Sequence, residues 1–209
     1  DTGGITADAS GSLTRPLDLS GATLDDVAFT ASVNGNIEKP HVDVRLSEGA
    51  ITVAGLAFED IAGQAQANVG QAVDGDFSLT GRSGEQALTA SGRIRGGEGE
   101  WRITELAATL GKLQLKVPRL AYSEGIFSVS FNANGPLAGI GGLERGALTA
   151  GGSVSIGDDL VADITGRLTD VRSGAMRLDL LTFDADASNN VAKLTAQARG
   201  SLGAPIDIK

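Results

Sequence analysis

Apolar and polar residues alternate along most of this chain, as in Val42-Asp43-Val44-Arg45-Leu46, Phe77-Ser78-Leu79-Thr80, Leu113-Gln114-Leu115-Lys116-Val117 and Phe127-Ser128-Val129-Ser130-Phe131. Successive side chains of a β-strand point to opposite faces, so a period of two predicts strands with one apolar and one solvated face. Further strands are predicted over 4–13, 27–33, 51–58, 61–69, 87–94, 100–106, 148–156, 160–168, 176–183 and 191–199, with Gly, Pro, Asn or Asp in most of the gaps. Helical spacing is weak; its best stretches, 19–29 and 136–145, are short and interrupted or lack a continuous apolar stripe.

The fold class expected is therefore all-β, long antiparallel or mixed strands of a meander with one apolar face; a β-solenoid or β-sandwich is the alternative. Residues 1–209 are expected to form a single elongated β-repeat region, an internal fragment of a longer chain, because the sequence lacks an initiator Met. The amino end does not read as a signal peptide, and no apolar run approaches the ~18 residues that span a bilayer.

Composition narrows the function. A formal charge of −9 with no basic stripe argues against nucleic acid as a partner and against polybasic docking to anionic headgroups, while leaving lipids held by their tails untouched. The absence of cysteine removes disulfides, thiolate metal sites and cysteine nucleophiles. With 30 glycines and only 4% aromatics, the apolar content is carried largely by Ala, Val, Leu and Ile, which suits a thin sheet that turns often.

A loose repeat punctuates the strands. Gly11-Ser12-Leu13-Thr14-Arg15-Pro16, Gly35-Asn36-Ile37-Glu38-Lys39-Pro40 and Gly200-Ser201-Leu202-Gly203-Ala204-Pro205 all read Gly, small polar, aliphatic, two variable positions, Pro. The Gly permits a bulge or close approach and the Pro removes a ladder donor, so each copy marks a turn between strands. The irregular spacing disfavours a solenoid of fixed rung length.

The stretch from Ala31 through Gly35 and Pro40 to Leu46 resembles a unit of the TamB and AsmA-like family: strand, small-Gly-small-aliphatic, Pro, alternating strand. Asp76-Phe77-Ser78-Leu79-Thr80-Gly81, followed by Ala87-Leu88-Thr89-Ala90-Ser91-Gly92-Arg93-Ile94, is similar again. The resemblance implies that the strands form a long curled antiparallel or mixed sheet, a periplasmic trough or β-taco with an apolar interior, carrying phospholipid acyl chains between inner and outer membranes. It also implies an inner-membrane anchor on the full-length protein, a TamA-like outer-membrane partner, and a link to outer-membrane assembly.

A lipid tail of about 16 carbons at ~0.8 kcal/mol per methylene needs shielding worth roughly 13 kcal/mol, which a continuous apolar strip supplies and a single pocket residue does not. The lining expected is Val42, Val44, Leu46, Phe77, Leu79, Leu113, Leu115, Val117, Phe127, Val129, Phe131, Leu178, Leu180 and Leu194. A dry sandwich core would use the same residues. Unpaired strand edges are also expected to permit edge-to-edge self-association.

No catalytic residue, metal or cofactor is expected. His41 is the sole histidine and reads as a strand-start residue; the pairs Asp74/Asp76, Asp158/Asp159 and Asp184/Asp186 read as solvated faces or turns rather than acid pairs or calcium ligands. Gly96-Gly97-Glu98-Gly99-Glu100-Trp101 occurs once, where a glycine-rich calcium repeat needs stacked copies, and Glu144 interrupts the dinucleotide pattern begun at Gly139.

Overall fold

The structure, a computed structural model, describes residues 3–13, 15–19, 22–53, 55–189, 191–202 and 205–208. The strands are β1 (Gly4–Ser12), β2 (Leu17–Leu19), β3 (Ala22–Asn36), β4 (Lys39–Val53), β5 (Leu56–Val69), β6 (Val73–Ser83), β7 (Gln86–Gly97) and β8 (Glu100–Leu110). They continue as β9 (Leu113–Ser123), β10 (Ile126–Pro136), β11 (Arg145–Ile156), β12 (Leu160–Ser173), β13 (Met176–Ser188), β14 (Val191–Leu202) and β15 (Pro205–Ile208). They follow chain order in one long antiparallel sheet, with β2 beside β1 on the edge of β3.

The all-β reading holds, as a long antiparallel sheet that is not closed into a barrel, and antiparallel pairing of strands in chain order sets aside the solenoid alternative. The segment 19–29 belongs mainly to β3, and 136–145 is largely a turn-rich loop, so neither is a helix. The strand expected over 51–58 is divided, since β4 ends at Val53 and β5 begins at Leu56.

The chain divides into two compact units, 1–106 and 107–209, the division falling within β8. Tight hairpins make both. In the turns Glu98-Gly99 and Glu124-Gly125 both residues have positive φ, 48° and 85° in the first and 51° and 82° in the second. That is the type I′ conformation whose twist matches the strands it joins. At Gly35 to Pro40 the repeat is a hairpin: Gly35 and Pro40 are cross-strand partners bracketing a turn at Ile37 and Glu38. Gly203 and Ala204 of the third copy, and Thr14 of the first, lie outside the described residues.

Each unit also bends its strands at bulges, which the alternation pattern hides. In β5, Asp60 has φ 53° and the pairing with β6 shifts between Glu59 and Ala62. In β12, Asp170 has φ 49° and the pairing with β11 shifts beside it. A bulge inserts one residue, so the apolar set changes parity while staying on the same face. Phe58 thus gives way to Ile61, Gly63 and Ala65, and Leu168 to Val171. Asp tolerates the left-handed region better than most residues, and arginine steadies both positions: Arg82 pairs with Glu59 and Asp60, Arg145 with Asp170. The residue after each bulge is buried, Ile61 to 1% exposure and Val171 to 3%.

Candidate functional site

Strand registers turn the alternating sequence into apolar rows that cross each unit at right angles to its strands. In the first unit one row runs Ala9, Ala31, Val44, Ala65, Phe77, Gly92 and a second runs Gly11, Phe29, Leu46, Gly63, Leu79, Ala90. Side chains directly opposite each other are close enough to touch, so each row is a continuous hydrocarbon surface.

The second unit repeats the arrangement by itself. Leu120, Val129, Val154, Ala162, Ala187 and Ala192 form one row. Leu115, Ala133, Ala150, Gly166, Phe183 and Ala196 form another.

Several large side chains lie across glycines. Phe29 faces Gly11 and Phe77 faces Gly92, and a Cβ on either glycine would come within 2.9 Å of the opposing ring. Phe183 covers Gly166 and Trp101 covers Gly96 in the same way, while Leu79 leans over Gly63. A ring laid over a strand with no Cβ gains contact area without adding height. The face therefore stays shallow, and in the first unit Val44, Leu46, Gly63, Ala65, Phe77 and Leu79 line a depression of about 250 Å3.

Little of this surface is sealed. Among the described residues, buried apolar side chains amount to Ile61, Val117, Ala121, Leu137, Val171 and Ala187, while Phe29, Leu115, Phe127 and Leu194 remain exposed.

The opposite face is polar and internally paired. Asp74 accepts hydrogen bonds from Arg93 at 3.1 Å and Arg95 at 3.3 Å. The bond from Arg93 is the main reason that its carboxyl is held below its ordinary value; partial desolvation opposes the shift and Arg95 adds to it. Asp184 is pushed the other way by a side-chain hydrogen bond with Asp186 and by that neighbour's charge. His41 lies in β4 with Nδ1 3.2 Å from Asn68 Oδ1 and Nε2 3.3 Å from Asp43. Gly96 and Gly97 serve close packing: a Cβ on the first would meet Trp101, and one on the second would lie 2.8 Å from the Gln71 carbonyl oxygen.

Of the residues singled out from sequence, Val44, Leu46, Phe77 and Leu79 lie in the two rows of the first unit, and Val42, opposite Val33 and Ala67, lies on the same face. Leu115, Phe127, Val129, Phe131 and Leu194 lie on the corresponding face of the second. Leu113 and Val117 share the parity of Leu115 in β9, though Val117 is buried. Leu178 partners Val171, but Leu180 partners Thr169; a bulge between them moves Leu180 to the polar side and leaves Leu181, opposite Leu168, in the apolar row.

Alternation alone missed Phe29, Ile164, Leu168, Leu181 and Phe183. For Phe183, paired with Gly166, the missing signal is that glycine reads as neither apolar nor polar, so the pairing of a ring with its gap appears only with the register. The class defined here is an open antiparallel sheet with apolar rows on one face of each unit and ion-paired polar residues on the other. No family model, curated protein or solved structure matches the chain.

Proposed function

We propose that this chain is a lipid-conducting segment of a periplasmic bridge, holding phospholipid acyl chains on its apolar rows while headgroups remain in water. The single observation that carries the reading is the continuity of those rows, kept shallow by rings lying over glycines and left exposed at Phe29, Leu115, Phe127 and Leu194. Hydrophobic attraction is non-directional and proportional to area, so a tail moves along the rows from strand to strand with little change in buried surface. The resemblance to TamB and AsmA-like proteins supplies the setting: an inner-membrane anchor in the full-length protein, a TamA-like partner at the outer membrane, and a role in outer-membrane assembly.

Mass spectrometry of lipids carried by the purified chain tests this reading. Phospholipid is expected on the wild type. Leu115→Asp or Val129→Asp is expected to remove most of it while the β-sheet circular dichroism persists, because a carboxylate in the strip costs far more against hydrocarbon than against water. Lipid content indifferent to both substitutions would sink the proposal.

A further inference from the structure

The strip of the second unit has two unlike margins. At the bulge end it is covered: Val171 and Leu137 are 3% and 7% exposed, and the loop 137–144 is tied down. Leu137 N–H donates to the Gly146 carbonyl at 2.8 Å, Glu144 N–H to the Arg172 carbonyl at 2.9 Å, and Gly174 N–H to Glu144 Oε1 at 3.0 Å. At the other end, where β9–β10 and β11–β12 turn, the row Tyr122, Phe127, Ile156, Leu160 forms the outermost rung, and its first three members are 43%, 36% and 50% exposed. Beside it stand the exposed carboxylates Glu124, Asp158 and Asp159.

We infer, resting on the lipid reading above, that a phospholipid lies along the strands of this unit with its tail toward the Leu137 and Val171 margin and its headgroup at the hairpin tips, and that the tips favour zwitterionic, ammonium-bearing headgroups over anionic ones. The span fits. Phe127 to Gly135 covers eight strand steps of ~3.4 Å, about 27 Å, and half of a ~30 Å bilayer core, about 15 Å, is the length of one tail. The margin at Leu137 and Val171 is buried apolar surface that suits a tail end, whereas the rung at the hairpin tips is exposed to water. The carboxylates are not a binding site in themselves; they set the sign of the field at that margin. They attract an ammonium group and repel a net-negative headgroup within the ~8 Å reach of charge at physiological salt.

Incubation of the purified chain with vesicles of equimolar phosphatidylethanolamine and phosphatidylglycerol, followed by mass spectrometry of the bound lipid, is the test. The wild type is expected to carry severalfold more of the zwitterionic lipid, with the preference shrinking as salt is raised. The combined variant Glu124→Lys, Asp158→Lys and Asp159→Lys is expected to reverse that preference at similar total lipid; the milder Glu124→Gln, Asp158→Asn and Asp159→Asn set should abolish it. A phosphatidylethanolamine with a diazirine at its tail terminus is expected to crosslink near Phe131 and Ile164; crosslinks at Tyr122 and Phe127 would overturn the orientation. Lipid bound in the vesicle ratio, insensitive to salt and to both variants, would overturn the headgroup preference and leave the lipid reading standing. A wild-type chain that binds neither lipid would remove both.

Discussion

The margin of each unit that carries the bulges and the margin that carries the type I′ hairpins are built from the same kinds of residue, yet they do opposite things. Near the bulges, Ile61 in the first unit and Val171 in the second are almost fully buried. Near the hairpin tips, Ile37 and Trp101 in the first unit and Tyr122, Ile126 and Ile156 in the second are exposed. A bulge turns the strand and brings an apolar residue under its neighbours, whereas at the turns beside Ile37, Trp101, Tyr122 and Ile156 the ladder ends and the last apolar residue is left uncovered. One margin holds the sheet in shape and the other presents hydrocarbon.

The largest expected contrast lies between the buried and exposed members of that pair. Ile61→Ala removes a fully enclosed side chain and should cost about 2–4 kcal/mol in urea unfolding, whereas Phe127→Ala should cost under ~1 kcal/mol and appear chiefly as reduced lipid content. Equal destabilisation by the two would erase the distinction between the margins.

A smaller effect is expected from the glycine that carries a ring. Gly166→Ala forces Phe183 to lift, costing about 1–2 kcal/mol, and most of that cost should vanish when Phe183→Ala is also present, as a double-mutant cycle would show. Additive effects would mean that the ring does not rest on Gly166.

The pH dependence should be smallest, since the groups concerned are exposed. Asp74 has its proton affinity lowered on folding, so its contribution is present above its ordinary value of 3.8 and is lost as pH falls through the lowered one. Asp184 is raised, so its contribution is present below 3.8 and is lost as pH rises through the higher folded value. Thermal melts across acid pH should accordingly lose the first dependence in Asp74→Asn and the second in Asp186→Asn.

Much of this architecture is legible in the residues. Val42-Asp43-Val44-Arg45-Leu46 can hardly be anything but a one-sided strand, and the Gly-to-Pro spacing at 35–40 locates a hairpin. The misreading of Leu180 shows where legibility stops. Leu178, Leu180 and Leu194 look equivalent by parity, but a bulge inserts a residue without any signature in hydrophobicity and moves Leu180 to the other face.

The sequence by itself determined that this chain makes strands with a greasy side and a wet side, because alternation is a property of neighbours along the chain and the strand period is fixed by the backbone. Which strands lie beside one another, which glycine receives which ring, and which margin is covered were decided only by tertiary structure. These depend on register between residues far apart in sequence, as with Ile61 beside Gly81 and Leu137 opposite Gly146, and a single inserted residue at a bulge resets that register for everything beyond it.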